Sequence, residues 1–314
     1  MNVTEAYLTL ADCWFLTGPT ASGKTTVGLD LARRLNAEIV SLDSMALYRG
    51  MDIGTAKPTV AERAEVPHHL VDVIEPHDEY SVAQYVAAAE RAVNEIAARG
   101  RIPLFVGGTP LYLKALLRGI FSGPPADWNL RNRLQELADR EGDEALHRRL
   151  ASVDPASAGR LNARDRRRVI RALEVFEKTG QSITELQQQF DRARPAEACR
   201  VFMLEWPREQ LIQRIDIRVD AMFAAGLVDE AQRLLASPTP PGRTAGQAVG
   251  YREVFEHLRG QRELAETIDL VKLRTRQFAK RQMTWFRSLS EVRRVAAERP
   301  SPEIARQIAG SQVE

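Results

Sequence analysis

Cysteine is scarce in this chain: 314 residues contain two, Cys13 and Cys199. Two cysteines make neither a disulfide framework nor a metal knuckle. They are expected to be buried thiols in a reducing compartment, which makes a cytoplasmic protein the expectation. Aromatic residues, at 6%, are too few for an all-β chain. No sign of charge dominates, since 44 Lys and Arg stand against 42 Asp and Glu for a net +2. The molecule as a whole is no polycation, so any nucleic-acid surface must come from local clustering. No uncharged apolar run approaches membrane-spanning length, which excludes a membrane helix. The N-terminus carries Glu5 and Asp12 and no basic residue before its apolar stretch, so no signal peptide is expected. His68, His69, His77, His147 and His257 show no metal-ligand spacing and read as structural. What remains is the composition of a globular α/β or α-rich protein, long enough for one large domain or two modest ones.

Against those absences stands one stretch, Gly18-Pro19-Thr20-Ala21-Ser22-Gly23-Lys24-Thr25. It follows the apolar run Cys13–Leu16 and opens a segment of helical spacing, Val27–Leu35. Strand, Gly-framed loop, Lys-Thr and helix is the context of a phosphate-binding P-loop. Glycines let the backbone curl so that N–H groups point inward, and the helix N-terminus adds positive potential. Lys24 would reach the terminal phosphate and Thr25 would help hold Mg²⁺. An ordinary Gly-rich turn is the plain alternative, and the flanks argue against it. A diphosphate or triphosphate is therefore expected here, ATP among the candidates.

Strand-like and helix-like runs alternate over the first third of the chain. Glu38–Leu42 reads as a strand ending in Asp43-Ser44, and His69–Ile74 as another. Ser81 caps an Ala-rich helix through Arg99, and Ile102–Val106 reads as a buried parallel strand ending in Gly107-Gly108-Thr109. A helical pattern follows from Leu111 to Arg118. This alternation predicts a doubly wound parallel sheet, in which ligands sit beyond the carboxyl ends of the strands. Lys24, Asp43 and Thr109 each follow such an end and should converge.

The character changes at Ser122-Gly123-Pro124-Pro125. Residues from Asp127 to Gln189 are helical in pattern and carry Arg164, Arg166, Arg167, Arg168 and Arg171. A strand returns at Val201–Leu204, helices follow from Pro207 to Ala236, and a Pro/Gly/Thr linker spans Pro238–Gly246. A long helix is expected from Arg262 to Leu289, with Lys272, Arg274, Arg276, Lys280, Arg281 and Arg287. Glu291–Val295 suggests an edge strand, and the tail beyond it is polar. The predicted fold is thus α/β: a P-loop doubly wound parallel sheet with an inserted all-helical domain. Its parts are residues 1–121, the insertion 122–195, and 196–314.

A P-loop ATPase needs a metal-binding acid at a strand end and a residue that positions water. Ile102–Val106 ends in glycines, with no acid there. Glu205 and Asp43 each end an apolar run, and Asp43 is the better candidate for metal ligand or general base; alone, it would equally be a turn residue. Thr109 suits a helix N-cap, a role compatible with a ligand contact.

These stretches together resemble one family. Gly18–Thr25, Asp43-Ser44, Tyr48–Pro58, Gly107–Thr109, Val249–Arg252 and Lys280–Arg287 are similar to the bacterial tRNA dimethylallyltransferases. The resemblance runs from Leu16 to Leu289 and implies transfer of a dimethylallyl group from dimethylallyl diphosphate, with Mg²⁺. The acceptor it implies is the exocyclic amino nitrogen of the adenosine 3′ of the anticodon (tRNA position 37), and pyrophosphate leaves. Gly18, Pro19, Thr20, Ala21, Ser22, Gly23, Lys24 and Thr25 then cradle the diphosphate, with Thr25 also on the metal and Arg218 adding charge. Asp43 matches the general base, which also selects adenine, and Thr109 the catalytic threonine, with Lys24 neutralising the leaving group.

The family grips an anticodon stem-loop between core and insertion, with the target base out of its stack. By that match the tRNA contacts are Asp43, Ser44, Met45, Ala46, Thr109, Arg131, Arg167, Arg168, Val169, Ile170 and Arg171. Further contacts are Gln247, Ala248, Val249, Gly250, Tyr251, Arg252, Lys280, Arg281, Gln282, Met283, Thr284, Trp285, Phe286 and Arg287. Trp285, Phe286 or Tyr251 could stack on bases, though helical spacing equally makes the first two core residues. A monomer is expected, with no membrane partner.

Two positions depart from the family pattern. Pro110 replaces its usual methionine, which puts prenyl-pocket packing in question, and Ala46-Leu47 replaces a commonly polar residue before Tyr48. Three rivals stand beside this reading. A P-loop kinase would transfer phosphate from ATP, and a prenyltransferase of free adenine nucleotides would not need the insertion and basic helix. An RNA-binding module with a sensing P-loop would not need Asp43 and Thr109.

Overall fold

The computed structural model describes residues 9–121, 123–187 and 193–311. They form two compact units: Met1–Leu117 with Ala193–Glu314, and Arg118–Arg192.

The first unit is built on a six-stranded sheet. Its strands are β1 (Trp14–Thr17), β2 (Ala37–Ser41), β3 (His68–His69), β4 (Ile102–Gly107), β5 (Val201–Glu205) and β6 (Val292–Ala296). Their order is β3-β2-β4-β1-β5-β6 and every pairing is parallel. The central strands are apolar on both faces, as a sheet covered on both sides requires. The chain's first helices are α1 (Lys24–Leu35), α2 (Val60–Glu65), α3 (Val82–Ala98) and α4 (Pro110–Arg118). The helical unit contains α5 (Trp128–Glu141), α6 (Asp143–Val153), α7 (Pro155–Arg160), α8 (Arg166–Thr179) and α9 (Ile183–Leu186). Back in the first unit are α10 (Arg208–Ala224), α11 (Leu227–Leu235), α12 (Tyr251–Leu258), α13 (Leu264–Arg287) and α14 (Ser301–Ala309).

One sheet face, with Phe15, Val40, Phe105 and Met203, packs against Tyr85 and Ile96 of α3, Leu113 of α4 and Phe286 of α13. The other, with Leu16, Ile39, Leu104 and Phe202, packs against Leu31 of α1 and Ile304 and Ile308 of α14. This is the doubly wound arrangement expected from the alternation. Because all strands are parallel, the loops after Thr17, Ser41, Gly107 and Glu205 leave the same edge.

Two elements differ from the sequence expectation. The strand expected over 69–74 is cut to His68–His69, because Leu70 and Asp72 take left-handed backbone angles, φ 59° and 56°. The following amides bond to another loop: Asp72 N–H to Ala46 C=O and Val73 N–H to Leu47 C=O. The polar tail contains a helix, α14, whose Ile304, Ala305 and Ile308 recur at helical spacing and are buried.

The Arg118–Arg192 unit has its own core, formed by Leu130, Leu134, Leu146, Leu150, Val169, Ile170 and Leu173. Three of its helices start on aspartates: Asp127, Asp154 and Asp165 accept the N–H of Leu130, Ser157 and Arg168. Every element of this unit is a helix among its described residues, the first starting at Trp128, one residue after Asp127, the expected start of the pattern; Gln189, the expected end of the pattern, and Ser122, the expected first residue of the insertion, lie outside them.

Candidate active site

The loop after β1 curls as a phosphate cradle must. Gly18, Ala21 and Gly23 have φ of 147°, 62° and 88°, and Gly23 is the N-cap of α1. With glycine there, no side chain caps the helix, so the first N–H groups of α1 remain for a ligand. The loop is braced from behind. Trp206 Nε1 donates to Ser22 C=O at 2.9 Å, and Arg214 Nε donates to Ala21 C=O at 2.9 Å. The Arg214 guanidinium also lies 4.2 Å over the Trp206 ring. Ser22 Oγ is buried without a hydrogen-bond partner among the described residues, an atom whose satisfaction is left to a ligand or water.

The neighbouring strand ends interlock with one another. Thr17 Oγ1 donates to Gly107 C=O at 2.9 Å, and Thr109 N–H donates to Leu42 C=O at 3.0 Å. Ser44 N–H donates to Thr109 Oγ1 at 3.0 Å, and Met45 N–H to Asp43 Oδ1 at 2.8 Å. Asp43 and Thr109 are thereby held in one hydrogen-bonded frame: the second carboxylate oxygen of Asp43 has capacity to spare, and the Thr109 hydroxyl donates only a long bond, 3.5 Å, to Ser44 Oγ.

Lys24 Nζ donates to Pro19 C=O at 2.7 Å, within its own loop. Burial, reinforced by the Arg218 charge and opposed by that of Asp43, lowers its pKa to about 7. Burial also pulls down the Arg218 guanidinium, with Asp43 offsetting this and Arg214 adding to it. Lys24, Arg218, Arg214 and Asp43 thus sense one another's charge, and the three cations crowd a desolvated site with one carboxylate. Such a site is short of negative charge, which a diphosphate supplies.

Magnesium fits this donor set through Thr25. The Thr25 hydroxyl sits at the second position of α1 and makes no hydrogen bond among the described residues. No group of three His, Cys, Asp or Glu gathers into a cage among the described residues. One hydroxyl beside phosphate oxygens is the way Mg²⁺ is commonly held on a phosphate substrate.

Gln282, expected to face tRNA, is only 4% exposed and lies between two of these loops. Its Oε1 accepts Thr20 N–H at 2.9 Å and its Nε2 donates to Gly108 C=O at 2.6 Å. Burial corrects other expected contacts as well. Tyr251 and Phe286 are fully buried, so neither ring can stack on a base. Tyr251 O–H donates to Glu230 at 2.5 Å, and Glu230 also accepts the N–H groups of Asp52, Ile53 and Gly54 at 3.0–3.3 Å. Ala46, Val169, Ile170, Ala248, Gly250 and Met283 are buried too, which leaves their side chains no access to a nucleotide. Exposed are Gln247, Arg252, Lys280, Arg281, Thr284 and Arg287, while Ser44, Met45, Val249 and Trp285 are half-buried. Arg287 pairs with Glu205 at 2.6 Å and Arg252 with Glu256 at 3.1 Å.

In the helical unit Arg167 and Arg168 are exposed, and Arg168 pairs with Asp165 at 3.3 Å. Arg131 and Arg171 instead converge on the buried Glu174. Arg131 binds it through Nε and a terminal nitrogen at 2.9 and 2.8 Å, and Arg171 through one nitrogen at 2.5 Å. The sequence reading missed Trp206, Arg214, Glu174 and Glu230. The available signal was polar residues on otherwise apolar helical stripes, such as Glu230 beside Leu227 and Ala231.

Comparison with known proteins agrees in sequence and in structure. The profile of the IPP transferase family matches residues 46–289, and that of isopentenyl transferases matches 11–73. A tRNA dimethylallyltransferase of Rhodopirellula baltica is 49% identical over 290 residues, 90% of this chain and 87% of its own. One from Thermomicrobium roseum is 50% identical over 88% of this chain and 84% of its own. The crystal structure of the tRNA isopentenylpyrophosphate transferase of Bacillus halodurans superposes with a TM-score of 0.69 at 39% identity, covering 96% of both chains. A eukaryotic dimethylallyltransferase acting on tRNA gives 0.72 at 27% identity, covering 91% of this chain and 74% of its own.

Proposed function

The chain belongs to the IPP transferase family, and from that premise we propose that it transfers a dimethylallyl group from dimethylallyl diphosphate to tRNA. The acceptor is the exocyclic amino nitrogen of the adenosine 3′ of the anticodon. The observation that carries this reading is the frame joining Asp43 and Thr109 beside a cation-rich P-loop.

The amino nitrogen attacks the first carbon of the prenyl group, the carbon–oxygen bond to the diphosphate breaks, and pyrophosphate leaves. Asp43 takes the proton lost by the amino group, its Oδ1 held by Met45 N–H so that the other oxygen serves as base. The same contact favours a base that presents an amino group. Thr109, whose oxygen accepts Ser44 N–H, donates its hydroxyl proton to a diphosphate oxygen. Lys24, Arg218 and the free N–H groups at the start of α1 neutralise charge as it builds on the departing pyrophosphate. Thr25 would hold Mg²⁺ on the substrate, where the ion would supply further neutralisation of the leaving group. The tRNA is bound as a polyanion by exposed cations: Lys280 and Arg281 on α13, and Arg167 in the helical unit. The enzyme acts as a monomer in the cytoplasm.

Purified protein with Mg²⁺, labelled dimethylallyl diphosphate and unmodified tRNA should yield labelled tRNA. Asp43→Ala should lower the rate by roughly 10²–10⁴-fold, the usual range for a general base, while leaving tRNA binding nearly intact. No label with well-folded wild-type protein sinks the assignment. Equal labelling of free AMP would point to a nucleotide prenyltransferase instead.

A further inference from the structure

We propose that Gln282 is a positioning residue of the transfer reaction, setting the spacing between the diphosphate loop and the loop that carries Thr109. The inference rests on the prenyl-transfer reading above and deepens it.

The two loops leave adjacent parallel strands, β1 and β4. Strand pairing fixes their origins but not their tips. One side chain joins the tips: the Gln282 amide accepts Thr20 N–H through Oε1 and donates to Gly108 C=O through Nε2. Among uncharged side chains of this reach, an amide suits the task because it carries an acceptor and a donor side by side. The bond to Gly108 is buried and that from Thr20 part-buried, so the first above all is costly to leave unmade. The space is tight as well. A Cβ on Gly108 would stand 2.7 Å from Gln282 Nε2, 3.3 Å from Gly18 O and 3.6 Å from Lys24 Nζ. Gly108, the P-loop and the Lys24 ammonium therefore meet around this one amide.

The consequence for chemistry follows from order along the chain. Thr20 lies in the loop that holds the leaving diphosphate, and Gly108 is bonded directly to Thr109. A shift of one tip relative to the other changes the reach of the Thr109 hydroxyl to the leaving group, and misplacement by about 1 Å can cost roughly 100-fold in rate. Gln282 lies on a helical stripe with Ala279, Met283 and Phe286, all buried, so its backbone is anchored in the core. Lys280 and Arg281 occupy the exposed side of the same two turns.

Gln282→Glu and Gln282→Leu separate the two bonds. The carboxylate keeps an acceptor for Thr20 N–H but loses the donor to Gly108, so kcat should fall about 100-fold while KM for dimethylallyl diphosphate stays within about threefold. Leucine removes both bonds, and here kcat should fall and KM rise together. tRNA binding by both variants, followed by fluorescence anisotropy, should remain within about threefold of wild type.

Wild-type kcat in the glutamate variant would overturn the proposal. So would losses in which kcat and KM change the same way in both variants and match a parallel fall in melting temperature, which mark a purely structural residue. Failure of the wild-type protein itself to label tRNA would reject the underlying reading, and is read separately.

Discussion

Lys24 shows how one residue can link site chemistry to pH. Its ammonium is pulled from an ordinary 10.5 to about 7, chiefly by burial and next by Arg218. In that window the unfolded chain binds a proton that the folded chain does not. The contribution of Lys24 to stability therefore rises with pH between about 7 and 10.5, and is at its most unfavourable below 7. A diphosphate in the loop reverses the balance by offering the ammonium opposite charge, so its pKa rises on binding. Binding of dimethylallyl diphosphate at pH 8, where the ligand's own phosphate is ionised, should take up most of one proton. Affinity should weaken as pH climbs from 7 to 9. Calorimetry in two buffers of different ionisation enthalpy measures the uptake directly, and an uptake of zero would contradict this account. Lys24→Met should bind the diphosphate poorly, yet without ligand it should melt no lower than wild type.

At the scale of elements, the loop from Tyr48 to Pro58 is ordered by two buried charged groups. Lys57 Nζ, with its side chain 2% exposed, bonds Tyr48 C=O and pairs with Asp52 at 2.7 Å and Asp72 at 2.5 Å. From the other side Glu230 gathers three successive backbone N–H groups and the Tyr251 hydroxyl. Glu230→Ala would leave the N–H groups of Asp52 and Ile53 and the Tyr251 hydroxyl without this acceptor, while Gly54 N–H keeps the Tyr251 oxygen at 3.2 Å, and should cost about 1–3 kcal/mol in urea denaturation. Glu230→Gln, which keeps an acceptor oxygen, should cost less than half as much. A loss below 1 kcal/mol in the alanine variant would mean that the loop is held mainly by Lys57.

That loop also marks where sequence reading stops. The P-loop is legible because its glycines, lysine and threonine lie within eight consecutive residues, and β1, β2, β4 and β5 because buried parallel strands are apolar runs. Asp43 and Thr109 are legible as residues following such runs. Glu230 and Gln282 act across 176 and 174 residues of chain, on Gly54 and Gly108. Their partners are backbone groups, which leave no mark in sequence. The shortened β3 is hidden for a related reason: the amides of Asp72 and Val73 find carbonyls in the 46–47 turn, and apolar composition alone does not reveal that choice.

For the whole molecule, a net charge of +2 poses the question of how a polyanion is held. Most of the cations named above are already balanced. Arg131 and Arg171 share Glu174, Arg166 binds Asp139 and Asp143, Arg276 binds Asp216, and Lys272 binds Asp220. Paired arginines can order a surface but carry little net field, and their release to phosphates would have to break the existing pair. Affinity for tRNA should therefore rest on a short set of exposed, less committed cations, with Arg167, Lys280 and Arg281 foremost. Each phosphate contact adds about 0.7–0.9 to the slope of log affinity against log salt. Lys280→Ala and Arg281→Ala should each reduce that slope by nearly one and weaken binding at low salt. Arg276→Ala, which removes a balanced partner, should leave the slope unchanged and lower stability instead. A titration of tRNA binding between 50 and 300 mM salt distinguishes these outcomes. If Arg276→Ala flattened the slope as much as Lys280→Ala, the ion pairs would open on RNA, and net charge rather than exposed charge would govern the encounter.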